Sequence, residues 1–191
     1  ISADLIITGT HGRTGIKRFL LGSVAERVVR MAETSVLVSR NDAGAGGFNK
    51  ILVPTDFTDL SLHAVDIAIE LAAPDATIEL FHSWQLPAQA SHRAAEAVLK
   101  PILRAIESDI DKRGEELTNA VAADGRTVRF TNARTSPADG IQQRLAADDF
   151  EIVIMGSHGR RGIQRFFLGS VAEATLRHAK CSVLIASKTR E

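Results

Sequence analysis

The chain has too few cysteines for a disulfide framework, no excess of charge of either sign and no long apolar run, and each shortage removes a class of function. Cys181 is the single cysteine among 191 residues, so neither an intramolecular disulfide nor a cysteine-built zinc site can form. A small buried apolar role for it, in a reducing cytoplasm, is the expectation. Lys plus Arg equals Asp plus Glu at 23 each, which leaves no global field to hold nucleic acid. No stretch reaches the ~18 consecutive apolar residues of a membrane span. The opening Ile1-Ser2-Ala3-Asp4 carries no charged leader ahead of an apolar core, so a signal peptide is not expected, and the chain reads as one whose beginning is missing. No membrane partner and no nucleic-acid partner are therefore expected.

Several nucleotide and metal signatures are also missing. There is no GxxxxGK[ST], so no lysine of that loop can reach a β- or γ-phosphate. There is no GxGxxG and no kinase signature set. His63, His82, His92 and His178 are scattered without a metal-ligand pattern and are assigned no site.

What is present is a repeat. Leu5 to Ser39 and Ile152 to Ala186 align without a gap at an offset of about 147 residues, with more than half of the positions identical. An offset of that length marks repeated domains rather than a solenoid. Everything between the copies occurs once. Residues 1–40 are thus expected to be the C-terminal portion of a first domain, 41–47 a glycine-rich linker, and 48–187 a complete domain.

Within the complete copy, strand-like and helix-like patterns alternate. Ile51-Leu52-Val53 is a short apolar strand ended by Pro54. Leu62, Val65, Ala68, Ile69 and Ala72 recur at helical spacing, with Thr58 or Asp59 as the cap. Thr77 to His82 reads as a second strand. Leu99, Leu103, Ile106, Ile110, Leu117 and Val121 mark a long helix, with Pro101 expected in its first turn. Val128 to Thr131 follows as a strand, and Ser136-Pro137 as cap and first residue of a helix burying Ile141 and Leu145. Ile152 to Met155 is a strand, Val171 to Ala179 a helix and Ser182 to Ala186 a last strand. Alternating βα units predict an α/β fold, a parallel sheet with helices on both faces.

The loop after the fourth strand carries the chemistry. Gly156, Gly159, Gly169 and Ser170 form Gly-x2-Gly-x9-Gly-Ser, at the carboxyl ends of the strands, where such folds bind ligands. Glycines admit close backbone approach, and the helix opening at Gly169-Ser170 offers unpaired amides and a positive dipole end to phosphate. Ser170 adds a hydroxyl donor. Arg160, Arg161 and Arg165 stand ready to screen added negative charge, and His158 is a candidate to assist the phosphates. The first copy repeats the pattern as Gly9, Gly12, Gly22 and Ser23, a possible phosphate site without the three preceding strands of the complete copy.

The glycine pattern on a βα junction, together with Pro54-Thr55-Asp56-Phe57 and Leu80-Phe81-His82, resembles the ATP-binding branch of the universal stress protein family. That resemblance implies an open five-stranded parallel sheet of order 3-2-1-4-5, plus a partial β-α-β copy. It implies that Pro54, Thr55 and Asp56 border adenosine and that the backbone of Ser83 contacts adenine. Met155 and Gly156 would line the adenosine side, while Gly159, Gly169, Ser170 and Val171 would hold the phosphates. The cofactor implied is ATP, with magnesium as the candidate cation but no dedicated metal ligand. The family's dimers pair their fifth strands, which implies antiparallel pairing of Ser35 to Ser39 with Ser182 to Ala186. The strand around Leu5 to Thr8 would then need a missing half-domain or a further chain, so a homo-oligomer or such an association is expected.

The function implied is a nucleotide-dependent stress or signalling module with little or no hydrolysis, not an enzyme. Two other classes compete. A nucleotidyl enzyme of a related fold needs a glycine-serine loop after strand one, where this chain has Pro54-Thr55-Asp56-Phe57. A ligand-free dimerising module would leave the phosphate loop without a purpose.

Overall fold

Short runs rich in Ile, Val and Leu, apolar at every position rather than at alternate ones, build the centre of this protein, because a strand covered on both faces has no solvent side. The computed structural model describes residues 3–10, 21–40, 46–86, 96–122, 126–159 and 168–187. In chain order the elements are β1 (Leu5–Gly9), α1 (Ser23–Met31), β2 (Ser35–Ser39), β3 (Phe48–Pro54), α2 (Asp59–Leu71), β4 (Ala72–Trp84), α3 (Glu96–Val121), β5 (Thr127–Arg134), α4 (Pro137–Ala147), β6 (Ile152–Gly156), α5 (Ser170–His178) and β7 (Ser182–Ala186). Ser136 caps α4, its hydroxyl accepting from the Asp139 amide, with Pro137 opening the first turn. Pro101 lies inside α3 rather than in its first turn. None of the described helices is long and apolar enough to cross a membrane.

The strands form one seven-stranded sheet in the order β1-β2-β7-β6-β3-β4-β5. The expectation was a five-stranded parallel sheet plus a partial β-α-β copy, and the described strands instead form one sheet of seven. β2 pairs antiparallel with β7, while every other neighbouring pair is parallel, so the partial copy extends the same sheet. The strands of residues 48–187 lie side by side as β5-β4-β3-β6-β7.

The β2–β7 junction follows the repeat. Leu37 faces Leu184, with Val36 opposite Ile185 and Val38 opposite Val183. Each residue thus meets its own repeat equivalent or that of its mirror neighbour, as in an isologous two-fold contact. The flanking bonds obey the same symmetry. The Ser187 amide donates to Ser35 Oγ at 3.2 Å, and the Arg40 amide to Ser182 Oγ at 3.1 Å. Arg30 of α1 reaches Glu173 of α5 at 3.0 Å.

Two apolar clusters lie on opposite faces of the sheet. One takes Val29 of α1, Ile141 of α4, and Ala172 and Leu176 of α5. The other takes Ala64, Val65 and Ala68 of α2 and Val121 of α3. The helices that leave the adjacent strands β3 and β6 therefore depart to opposite faces, which opens a crevice at the carboxyl ends of those two strands. The symmetry stops at β1. Ile154 of β6 is wholly buried, whereas its equivalent Ile7 is 64 % exposed, since no counterpart of β3 or α2 lies beside β1 among the described residues. Cys181 is buried, and burial pushes its thiol up to about 11, so it stays protonated and inert at neutral pH.

At the opposite end of the sheet from the crevice, Glu79 is completely buried. Its carboxylate accepts from Arg144 Nε at 2.5 Å, Arg129 Nε at 2.8 Å and Thr131 Oγ1 at 2.8 Å. Asp148 joins the cluster through Lys50 and Arg144. Burial alone would push the Glu79 carboxyl up, but the hydrogen bonds from Arg144, Thr131 and Arg129 outweigh it and leave it below the usual range. The Lys50 ammonium and the Arg144 guanidinium likewise hold Asp148 low. A carboxyl lowered by folding stabilises fully above its unfolded value, ~4.3 for glutamate, and loses that contribution as pH falls through the folded value. Urea midpoints should therefore decline below about pH 4. Glu79→Ala, which removes the buried acceptor of Arg144, Arg129 and Thr131 and leaves Asp148 alone to pair the guanidinium groups, should cost about 2–4 kcal/mol at pH 7 and flatten the acid limb.

Candidate functional site

The loop leaving β3 is held by its own side chains. The Thr55 amide donates to the Phe81 carbonyl at 2.8 Å, carrying the β3–β4 ladder one residue past Pro54. Thr55 is buried; its Oγ1 lies 3.0 Å from Ser61 Oγ and accepts the Phe57 amide at 3.1 Å. Asp56 Oδ1 accepts both the amide and the hydroxyl of Thr58, at 3.1 and 2.5 Å. These short-range bonds turn the chain sharply into α2 and place Phe57 at φ 61°. That left-handed conformation costs a residue with a Cβ about 1–2 kcal/mol and is held here by its surroundings.

The loop leaving β6 closes on itself. The Ser157 amide donates to the Ala186 carbonyl at 3.0 Å, and the Gly169 amide donates to the Ser157 carbonyl at 2.8 Å. Gly169 is the N-cap of α5 and has no side chain to cap that helix, so among the described residues no side-chain cap is recorded at the positive end of its dipole. Ser170 is exposed and Val171 half-buried against the core. Exposed His158 has Nδ1 2.9 Å from Ser157 Oγ.

The two loops meet. A Cβ on Gly159 would stand 2.8 Å from Asp56 Oδ2, so the absence of a side chain at Gly159 is what lets the loops approach. Gly156 faces Leu60 of α2, where a Cβ would lie 3.0 Å from Cγ. Pro54, Thr55, Asp56, Gly156, His158, Gly159, Gly169, Ser170 and Val171 thus gather at the carboxyl ends of β3 and β6. Ser83 lies on the neighbouring strand β4, two residues past Phe81, the partner of Pro54. Its hydroxyl is turned away, donating to the carbonyls of Thr135 and Ser136 at 2.9 and 3.2 Å, which leaves its backbone for any contact.

Met155 turns its side chain away from the crevice. Its side chain is only 5 % exposed and packs in the core with Phe81, Ile141 and Leu176, because a strand between two helical layers points alternate residues into either layer and neither into the crevice. Arg160 and Gly12 lie outside the described residues. In the partial copy Gly9, Gly22 and Ser23 keep the same closure: the Gly22 amide donates to the Thr10 carbonyl at 3.0 Å, and a Cβ on Gly22 would stand 2.8 Å from that oxygen. No counterpart of Asp56 lies beside it among the described residues. Nor do the described residues contain a group of three or more His, Cys, Asp or Glu placed to hold a metal.

A family model described as the universal stress protein family matches residues 1–40 and 47–187. The chain belongs to the universal stress protein family. A universal stress protein of Methanocaldococcus jannaschii is 28 % identical over 155 residues, covering 78 % of this chain and 87 % of its own. One of Mycobacterium tuberculosis is 28 % identical over 199 residues, covering 98 % of this chain, which spans 63 % of that relative's length. Among solved structures, a universal stress protein in complex with cAMP superposes with a TM-score of 0.56 at 24 % identity, over 75 % of this chain and 99 % of its own.

Sequence reasoning missed Ser61 and His82 in this universal stress fold's loop, while Thr58, one of two expected caps, is the N-cap of α2. Ser61 and Thr58 hold the turn, and His82, assigned no site, has Nδ1 2.7 Å from the Thr55 carbonyl oxygen. The run Leu80-Phe81-His82, a polar ring ending a buried strand, was the available signal. Thr55→Val keeps the shape but removes the acceptor of the Phe57 amide and the partner of Ser61. It should lower unfolding stability by about 1–3 kcal/mol, read from denaturant midpoints.

Proposed function

We propose that this chain is an ATP-binding universal stress protein, with the nucleotide in the crevice between the β3 and β6 loops. The observation that carries the reading is the meeting of Asp56 and Gly159 beside the N-terminus of α5. The donor set fits an adenine nucleotide. Pro54, Thr55, Asp56, Gly156 and the backbones of Ser83 and Met155 would border adenosine. The phosphates would lie against Gly159 and Gly169 and on the amides of Ser170 and Val171, with the Ser170 hydroxyl and His158 beside them and magnesium balancing the charge. The cAMP complex of a structural neighbour supports the nucleotide class.

Hydrolysis needs a positioned water and cationic stabilisation at the γ-phosphate. The chain carries no lysine of the GxxxxGK[ST] type, and His158 Nδ1 is engaged with Ser157. The protein is thus a binding module with slow or absent turnover rather than an enzyme. Residues 1–40 are, on this reading, the rear of a first domain of the same kind, joined to the second through β2 and β7.

Calorimetry of the chain with ATP and magnesium tests the reading. Saturable binding is expected, with turnover below about 1 s⁻¹. Gly159→Val, at an exposed loop position, should weaken binding at least about tenfold with an unchanged thermal midpoint. No saturable binding at millimolar ATP would contradict it.

A further inference from the structure

His82 ends the buried part of β4 beside the crevice and takes no part in the reading above. Its side chain is buried. Nδ1 lies 2.7 Å from the Thr55 carbonyl oxygen. A carbonyl can only accept, so Nδ1 carries the proton and donates. The face of the same ring lies 4.9 Å, centroid to centroid, from Phe57. Thr55 and Phe57 are the two residues that flank Asp56. One ring, on a different strand, therefore holds the loop on both sides of the carboxylate that abuts Gly159.

The Phe57 ring also lies 6.2 Å from that of Phe130 on β5 and 6.0 Å from the Arg113 guanidinium on α3, whereas the side-chain hydrogen bonds of the loop are local. Thr55 Oγ1 serves Ser61 and the Phe57 amide, and Asp56 Oδ1 serves Thr58. Those bonds shape the turn but join it only to itself and to the start of α2. The Thr55 amide and carbonyl are what tie it to β4, through Phe81 and His82. Phe57 at φ 61° is in a conformation an aromatic residue seldom adopts, and it relaxes unless its ring is held.

We propose that His82 is a positioning residue for the nucleotide site. Its Nδ1–H and ring face lock Thr55 and Phe57, so that Asp56 meets the nucleotide without the loop having to reorder. This rests on the nucleotide-binding reading. The donor at Nδ1, and not merely a buried ring, carries the role. Asparagine places an N–H near the position of Nδ1, whereas glutamine places one near Nε2.

The test compares the full chain with His82→Phe, His82→Asn and His82→Gln. Two quantities are measured: hydrogen exchange of the Phe57 and Thr58 amides without ligand, and the ATP dissociation constant by calorimetry. In His82→Phe, exchange at both amides should accelerate and ATP should bind about tenfold more weakly. His82→Asn should restore both to within about threefold of the wild type, and His82→Gln should not. The contrast between Asn and Gln decides the matter even where His82→Phe does not fold. Wild-type exchange in His82→Phe and His82→Gln, or equal damage in Asn and Gln, would overturn the proposal. Should the wild type bind no ATP, the nucleotide reading fails by itself; the exchange data then still uphold or overturn the hold of His82 on the loop.

Discussion

The parallel pairing of β3 with β6, Ile51 against Ile152 and Leu52 against Val153, is the constraint on which the rest depends. The two strands are neighbours in space but about a hundred residues apart in sequence. Their helices leave to opposite faces of the sheet because α2 and α5 have separate apolar clusters to cover. Where neighbouring strands send their connections apart, no backbone crosses above the gap between them. The Asp56 and Gly159 loops reach each other across that gap, and the N-terminus of α5 opens beside it.

The same helix α5 joins the crevice to the junction of the copies. Its first turn lies in the candidate site, while near its other end Arg40 of the partial copy donates from Nη2 to the Leu176 carbonyl at 2.5 Å. A cation at the C-terminus of a helix complements its dipole, as an anion does at the N-terminus. Glu173 in the middle of α5 accepts from both Arg177 and Arg30. The partial copy therefore buttresses the helix from the side that the nucleotide would not touch. Gly47, at φ 92° with Ala73 N and Leu71 O within 2.9 Å of a notional Cβ, lets the connection into β3 pass against the end of α2.

The α/β class and the repeat were legible in the sequence, because alternating apolar periods and a gapless match of 35 residues are long-range signals that no single residue can spoil. The boundaries were less so. β4 begins at Ala72, not Thr77. Ala72, expected in the preceding helix, opens the strand, which runs on through Pro74 and Asp75 with a register shift between Phe48 and Lys50 on its partner. The seven-stranded sheet arises from pairing between strands separated by nearly the whole chain, which local pattern cannot reveal.

Within the site, the glycines stood out by their spacing on a strand–helix junction, and Asp56 by the family resemblance of Pro54-Thr55-Asp56-Phe57. That Met155 turns its side chain into the core was not legible, because its strand is buried on both faces. Ser61 and His82 were invisible for a different reason. Their hydrogen-bond partners are fixed by the turn, and turn geometry at Phe57 is not encoded by any glycine there.

The most direct measurement is the map of amide shifts when isotopically labelled chain is titrated with ATP. The account predicts saturating shifts at Thr55 to Thr58, Gly156 to Gly159 and Gly169 to Val171, with the outer face of α3 unmoved. Shifts concentrated away from the β3 and β6 loops, or none at saturating nucleotide, would contradict it.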